Sequence, residues 1–357
     1  MYRKIIIPLF AIAVLASCGR PQRSAGRQDE GHRLPRKLLS GITVRTTPVK
    51  NQGKSPLCWA YAMLATIESE RLMMGDSVNL STAFVARQVL REQALRYYFS
   101  RGERPISLRG MGSMLPTYIE RYGAEPYDAY QDTPDIDYSV LARKLQVISD
   151  GARSHHLPFE TYRQKIEDVL DEAMGYMPGA AVHMLGAEYT PSEFGRSVCL
   201  PGDYLSLTSF THHPFYESFV LETPDNQMQD AYLNLPLDTL MSHIRRALRA
   251  GHPVCWEGDI SNIGFQRPHE GLVEAMVKGP FPITQRYRQD SFERLLTTDD
   301  HAMEMVGMVE LEGRRYFICK NSWGKDYGIG GFICLSEDYV RLYTVAVFLS
   351  RSAYTAK

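Results

Sequence analysis

The chain has 357 residues, of which 44% are apolar and 23% are charged. A chain of this length and composition can bury a sizeable core, as one domain with insertions or as two closely packed lobes. Its formal charge of −1 gives neither the basic surface that nucleic acid binding requires nor a strongly acidic surface. No nucleic-acid partner is therefore expected.

The N-terminus has the pattern of an export signal. Arg3 and Lys4 precede an apolar stretch, Ile5 to Leu15, that is short for a membrane-spanning helix. The next residues, Ala16-Ser17-Cys18, complete a sequence that resembles a bacterial lipobox, in which cleavage precedes the cysteine and lipid is attached to it. This pattern predicts a signal peptide over 1–17 and a lipid anchor at Cys18. A plain signal peptide and a cytosolic amphipathic segment are the alternatives.

The predicted location is accordingly the bacterial cell envelope, on the periplasmic or outer-membrane face. The residues after Cys18, up to Gly41, are rich in Arg, Gln, Gly and Ser and have almost no periodic apolar pattern. Such a segment is typical of a flexible tether. We therefore expect a tether over 18–41 and a folded domain over 42–357.

A cysteine stands at the start of a predicted helix. Pro48, Gly53 and Pro56 break the chain before Cys58, and apolar residues recur at helical spacing from there to about Met73. The helix dipole and a nearby imidazolium would both favour a thiolate at this position. The alternative is a buried cysteine that acts as a small apolar residue.

Gln52 precedes Cys58 by six residues. Its side-chain amide could donate a hydrogen bond to a developing oxyanion, with the backbone N–H of Cys58 as the second donor. The middle of the chain then contains helical patterns over Met114 to Tyr122, Pro158 to Met174 and Leu237 to Ala250.

Two further residues complete a pattern typical of nucleophilic catalysis. His301 precedes a strand-like run, Ala302 to Met308, and Asn321 closes a second strand over 315–320. A thiol nucleophile needs a base, and the base needs a partner that holds its ring and tautomer. Cysteine, histidine and asparagine can fill these roles in this order.

The remaining histidines and cysteines are interpreted as structural. His155-His156 and His212-His213 are expected on the surface or in an insert, because adjacent positions of a helix or strand do not share a face. The other cysteines are expected as free thiols, since those in apolar strands are commonly buried. These are Cys199, Cys255, Cys319 and Cys334. No cysteine or histidine cluster has the spacing of a zinc site, so neither a metal nor a cofactor is expected.

The motifs together resemble the papain superfamily of cysteine peptidases. The segments Asn51-Gln52-Gly53, Cys58-Trp59-Ala60, His301-Ala302 and Asn321-Ser322-Trp323-Gly324 occur in the family's order. Ser55 stands where cathepsin-type chains have a second cysteine. In addition, 243 positions (301 − 58) separate the thiol from the histidine, against roughly 130–150 in cathepsin-type chains. Both departures favour the bleomycin hydrolase and aminopeptidase C branch, which carries helical insertions.

This resemblance implies an α+β fold of two lobes. A helical left lobe would begin at Cys58, an antiparallel β right lobe would carry His301 and Asn321, and a helical insert would occupy about 140–250. Trp323 would shield the bond between His301 and Asn321 and border the substrate site.

Gly110 resembles a family glycine whose backbone pairs with substrate. Arg109 stands beside it where the family usually has another glycine, so the shape of this part of the cleft is left open. A turn that simply leads into the next helix is the alternative interpretation of the segment.

The implied activity is hydrolysis of peptide bonds in a peptide or protein substrate. In the branch, a C-terminal arm fills the cleft and confers aminopeptidase action. Only Ser350 to Lys357 follow the last predicted strand, and eight extended residues span at most about 29 Å. We therefore expect endopeptidase capability. A strict aminopeptidase and a non-catalytic, lipid-anchored binding protein are the alternatives, and a homo-oligomer is left open.

Overall fold

The computed structural model describes residues 37–131, 136–179, 181–184, 186–266, 268, 271–279 and 281–355. The predicted signal peptide and Cys18 lie outside these residues. The predicted tether ends too late, however, because Leu38 is fully buried and the backbone N–H of Met308 donates to the carbonyl of Gly41 at 3.0 Å. The packed part of the chain thus begins before residue 42.

Helices dominate the first half of the described chain, and strands the second half. The helices are α1 Cys58–Met74, α2 Thr82–Phe99, α3 Met114–Tyr122, α4 Tyr138–Ser154, α5 Phe159–Met174, α6 Pro191–Val198, α7 Leu237–Arg249, α8 Ile263–Gln266, α9 Gln285–Glu293, α10 Glu337–Tyr343 and α11 Arg351–Thr355. None of these helices is long and apolar enough to cross a bilayer.

The strands form one large sheet and one small hairpin. They are β1 Val182–Met184, β2 Ala187–Tyr189, β3 Tyr204–Thr208, β4 Ser218–Val220, β5 Ala231–Asn234, β6 Val254–Gly258, β7 Leu272–Val273, β8 His301–Leu311, β9 Arg314–Lys320, β10 Phe332–Ser336 and β11 Thr344–Ser350. The large sheet has nine strands in the order β4-β5-β3-β11-β6-β8-β9-β10-β7, and β1 pairs with β2. The pairs β3–β5 and β10–β7 are parallel and the others are antiparallel.

Helix α1 packs against the centre of this sheet, at β8, β6 and β11. Its residues are buried from Trp59 to Glu70, around the whole circumference. The helix ends at Gly75, whose φ of 100° belongs to the left-handed region that glycine adopts without a steric penalty. A helix buried on all sides against a sheet has little freedom to move, so Cys58 at its first position is held rigidly.

The insert predicted as helical is only partly so. Residues 140–250 contain helices α5 to α7 and most of α4, but strands β3 to β5 lie in the same region and extend the sheet beyond β11. These strands are short, and each of them is partly exposed. The prediction of a mainly antiparallel right lobe is confirmed, with two parallel pairs added.

The cysteines of the described chain are free thiols, as the sequence predicted. Cys199, Cys255, Cys319 and Cys334 are buried, and Cys58 is partly buried. Burial raises the pKa of each of these thiols, so the four buried ones remain protonated and pack as small apolar side chains.

Candidate active site

A cleft of about 160 Å³ contains the two residues predicted to carry the chemistry, Cys58 and His301. Cys58 is the first residue of α1, and His301 is the first residue of β8. The structure therefore brings together residues that are far apart in the chain. The cleft is lined by Gln52, Ser55, Pro56, Cys58, Trp59, Arg109, Gly110, Asp225, Glu257, Ile260, Asp299, Asp300, His301, Ala302 and Trp323.

The thiol of Cys58 is held in its neutral form. Burial raises its pKa to about 12, with further contributions from the carboxylates of Glu257 and Asp299. Backbone N–H groups of Ala302 and Trp59 donate to the sulfur and oppose this shift. The direction is opposite to the one expected from the helix dipole, because desolvation and two nearby negative charges outweigh the dipole.

The imidazole of His301 has a defined tautomer. Its Nε2 lies 2.9 Å from Oδ1 of Asn321, and the backbone N–H of Ser322 donates to the same oxygen at 2.8 Å. An oxygen that accepts from a backbone N–H is an acceptor, so Nε2 of His301 carries the hydrogen and donates it. Nδ1 is left with a free lone pair. Burial lowers the pKa of His301 to about 4, although the bond to Asn321 raises it.

Aromatic rings cover this histidine. The ring of Trp323 lies 4.7 Å from that of His301, and the ring of Phe265 lies 6.4 Å away in an edge-on arrangement. Phe265 and Trp323 also contact each other edge-on, at 5.9 Å. The cover excludes water from the His301–Asn321 bond, which strengthens the bond and favours a single ring orientation.

The amide of Gln52 is oriented by two partners. Its Nε2 donates to the carbonyl of Ser55 at 2.7 Å, and its Oε1 accepts from the hydroxyl of Ser322 at 2.5 Å. The backbone N–H of Gln52 also donates to the carbonyl of Ser322 at 2.7 Å. The side-chain NH₂ has two hydrogens, so one remains available on the side of the cleft.

Buried ion pairs hold the segments that carry Gln52 and Asn321. Lys50 donates to Glu68 of α1 at 2.7 Å, and the carboxylate of Glu68 also accepts the backbone N–H of Leu80 at 2.7 Å. Lys320, at the end of β9, lies 3.2 Å from Glu304 of β8. The first pair attaches the loop to α1, two residues before Gln52. The second attaches the end of β9 to β8, one residue before Asn321.

Gly110 lies against the rim of the cleft with no room for a side chain. A Cβ at this position would lie 2.7 Å from the sulfur of Met114 and 3.1 Å from the ring of Trp59. The indole N–H of Trp59 donates to the carbonyl of Leu108 at 2.9 Å, which fixes the segment over the ring. Close packing by itself thus favours glycine here.

Sequence reasoning missed several acidic residues of the cleft. Glu257, on β6, is almost fully buried at 1% exposure. Asp225 belongs to the predicted insert and forms a bidentate salt bridge with Arg109. Asp299 lies two residues before His301. A charged residue within the apolar strand Val254–Gly258 was the available signal for Glu257, since such a residue is rarely buried without a purpose.

The pair His212-His213 is at least partly exposed and lies in the insert region, as predicted. Both rings reach Glu222, His212 at 3.2 Å and His213 at 2.6 Å, although adjacent residues of a regular element would point apart. Gln289 accepts a backbone N–H from Thr211 at 2.7 Å and donates to Nδ1 of His212 at 3.0 Å. The hydrogen of His212 therefore lies on Nε2, towards Glu222, and the group is satisfied by its own hydrogen bonds.

Comparisons with known proteins identify relatives of this chain. The Peptidase C1-like family matches residues 187–357. Aminopeptidase C of Streptococcus thermophilus is 21% identical, and the alignment covers 90% of this chain and 84% of that protein. Aminopeptidase W of Lactobacillus delbrueckii subsp. lactis is 23% identical, with coverage of 88% and 84%.

Among solved structures, pepw from Lactobacillus rhamnosis hn001 superposes with a TM-score of 0.64 at 19% identity, covering 94% of this chain and 90% of the other. The shared fold is that of the papain-like cysteine peptidases, and the sequence matches support a cysteine-type peptidase. Its similarity to aminopeptidases C and W extends over most of the chain, whereas the family match covers residues 187–357.

Proposed function

We propose that this peptidase cleaves peptide bonds through an acyl-enzyme formed on Cys58. His301 serves as base and acid, Asn321 orients His301, and Gln52 with the backbone N–H of Cys58 binds the oxyanion. Gly110 and Trp323 border the bound peptide. The observation that carries this assignment is the bond from His301 to Asn321 in the cleft that also contains Cys58.

The free lone pair on Nδ1 of His301 determines where the proton goes. The proton moves from Cys58 to Nδ1 of His301 as the sulfur attacks the substrate carbonyl. The tetrahedral intermediate then collapses, the C–N bond breaks, and His301 returns the proton to the leaving amine. Water attacks the thioester with His301 again as base, which releases the acid product and restores the thiol.

An irreversible, thiol-directed peptidase inhibitor tests the assignment. It should label Cys58 in a tryptic map, and Cys58→Ala should lose both the labelling and the hydrolysis of a fluorogenic peptide. Cys199→Ala is the matched control, because this thiol is buried outside the cleft and should not react. Full hydrolysis by Cys58→Ala would exclude the proposed nucleophile.

We also propose that the enzyme accepts internal peptide bonds. The described tail after β11 turns into α11 and packs on α7, where the rings of Tyr354 and His243 stack at 4.3 Å. Ala353 is buried, and the N–H of Arg351 donates to the carbonyl of Asp203 at 2.8 Å. No tail residue up to Thr355 lines the cleft. This arrangement supports a cleft that the tail leaves open, although the relatives are named aminopeptidases.

Paired peptides with a free and an acetylated N-terminus test the cleavage mode. Both should be cut, and deletion of 351–357 should leave their ratio of kcat/KM unchanged while it lowers the melting temperature. Cleavage of the free form alone, lost on deletion, would show that the tail acts as a blocking arm.

For the N-terminus, we propose the lipid anchor at Cys18 and attachment to the bacterial envelope. The support is the motif Leu15-Ala16-Ser17-Cys18. Mass spectrometry of the membrane fraction should detect a diacyl or triacyl group on a chain that begins at Cys18. An unmodified Cys18, or a different mature N-terminus, would contradict the anchor.

A further inference from the structure

The cleft beside Cys58 has a strong excess of acidic side chains. Four carboxyl groups line it, and Arg109 is the one Lys or Arg side chain among its described lining residues. The four are Asp225, Glu257, Asp299 and Asp300. Each buried carboxylate loses its hydration, and a hydrogen-bonding or positively charged group must replace it. A neutral substrate would not require so many carboxylates in the cleft.

Two of the four carboxyl groups are satisfied within the protein. The carboxylate of Asp225 accepts hydrogen bonds from Nε and Nη2 of Arg109, at 2.9 and 2.7 Å. Asp300 accepts the backbone N–H of Ile260 at 2.8 Å and the hydroxyl of Thr298 at 3.2 Å. These groups need no further partner.

The other two each present an oxygen without a hydrogen-bond partner. Oε1 of Glu257 accepts the backbone N–H of Gly112 at 2.7 Å, but its Oε2 has no partner although the residue is buried. Oδ2 of Asp299 is likewise buried and unpaired. Arg109 donates to the backbone carbonyl of Asp299, at 2.9 Å, and not to its carboxylate, although the charge of Arg109 opposes the rise in the pKa of Asp299.

The charges of these two groups oppose each other. Burial raises the pKa of Glu257 well above its ordinary value, and the charge of Asp299 raises it further. Burial likewise raises the pKa of Asp299, with Asp225 contributing in the same direction. A cation placed between them would replace the missing hydration and remove the repulsion.

We propose that Glu257 and Asp299 form a subsite that binds a cationic amino or guanidinium group of the substrate peptide. This inference rests on the proposed function, since it assigns a role to the same cleft. The group is either a Lys or Arg side chain or the free N-terminal ammonium. The cavity of about 160 Å³ would hold roughly five waters at their liquid volume of ~30 Å³ each, so a cationic side chain can replace them.

The position of the subsite indicates which part of the peptide it takes. Glu257 pairs in register with Ala302, whose N–H donates to the sulfur of Cys58. The same carboxylate is bound to Gly112, two residues after Gly110. Gly110 is the proposed contact for the substrate backbone ahead of the scissile bond. The subsite therefore faces one particular residue of the substrate peptide. This is the residue that precedes the one whose carbonyl group becomes bonded to Cys58.

Three peptides that differ in one charge test this subsite. Ac-Lys-Ala, Ac-norleucyl-Ala and free-amine norleucyl-Ala, each with the same fluorogenic leaving group, place the cation in the side chain, nowhere, or at the N-terminus. We expect kcat/KM for at least one cationic peptide to exceed that of the neutral peptide about tenfold or more, as a charge-assisted hydrogen bond allows. The better cationic peptide identifies the source of the charge.

Glu257→Gln and Asp299→Asn should reduce this preference to about twofold or less, through KM more than kcat. Glu257→Gln keeps the oxygen that accepts from Gly112, so the fold is preserved. Glu310→Gln, which removes an exposed carboxylate near Arg315, is the matched control and should retain the preference.

Labelling rates separate this inference from the proposed mechanism. Irreversible inhibitors built on the same three sequences, acetyl-lysyl-alanyl, acetyl-norleucyl-alanyl and free-amine norleucyl-alanyl, report binding next to Cys58 even if turnover is slow. Cys58-dependent cleavage without any charge preference would overturn the subsite and leave the peptidase assignment intact. Equal labelling rates for all three inhibitors, or a preference unchanged in both variants, would also overturn it. Absence of labelling at Cys58 would instead contradict the mechanism on which the subsite rests.

Discussion

Gln52→Ala is expected to separate the binding of the oxyanion from the reactivity of the thiol. The variant removes the side-chain N–H available to the cleft and leaves the backbone N–H of Cys58 as the remaining donor. Loss of one oxyanion donor costs about 10²–10³ in kcat, or about 2.7–4 kcal/mol. KM should change little, because the bond is made in the transition state.

The same substitution has a structural cost that must be measured separately. It removes the hydrogen bonds from Gln52 to Ser55 and from Ser322 to Gln52, worth about 1 kcal/mol each. Ser322→Ala is the matched control. It loses the bond to Oε1 but keeps the Nε2 donor, which the carbonyl of Ser55 still orients, so kcat should stay within about twofold.

Steady-state hydrolysis of an acetylated fluorogenic peptide, normalised by titration of Cys58 with an irreversible inhibitor, measures the effect. Full titration with a kcat reduced at least about a hundredfold supports the role of Gln52. If Gln52→Ala titrates fully and keeps a kcat within about threefold of the wild type, the oxyanion assignment is wrong.

Three further predictions follow from the same geometry. Asn321→Ala should lower kcat. It should also move the acidic limb of kcat/KM, which is set by protonation of His301 at a pKa of about 4, to lower pH. In the wild type the bond to Asn321 raises the pKa of His301, so its loss lowers that pKa. Gly258→Ala should lower the melting temperature, at a cost of about 1–3 kcal/mol or more, since its Cβ would lie 2.1 Å from the carbonyl of Tyr343. Glu257→Gln should be more stable than the wild type, with an advantage that grows from pH 5 to pH 8. The raised pKa of Glu257 means that the folded state binds more protons than the unfolded state, so the stability of the wild type falls as pH rises. Thermal unfolding at several pH values measures the last two.

Local patterns predicted the helices that frame the site. The predicted spans for α3, α5 and α7 agree with the structure to within one residue at each end, and α1 begins at Cys58 as expected. These boundaries depend on interactions within one turn of the chain, such as the break at Gly75 after α1. The sequence was sufficient for them because no distant contact had to be known.

The predicted catalytic set could also be named from sequence, because its members occur in motifs with a defined order. Where these residues lie was decided by packing: β6 and β8 pair at Gly258 and His301, and α1 lies against both strands. The ionisation of Cys58 could not be predicted in the same way. A helix N-terminus favours the thiolate, but burial and the charge of Glu257 favour the thiol, and both are properties of the folded chain.

Other features depended on contacts between segments far apart in sequence. The sequences of strands β3 to β5 did not predict strands, and these segments join the sheet by pairing beside β11. Similarly, Arg109 binds Asp225, which lies 116 positions later in the chain. Glu257 was visible as a charged residue in an apolar strand, but its unpaired oxygen in the cleft was not. The sequence alone determined the local helices and the identity of the predicted catalytic residues. Only the tertiary structure decided which carboxylates would be buried beside them without a partner, because desolvation and charge pairing depend on distances that the linear order does not contain.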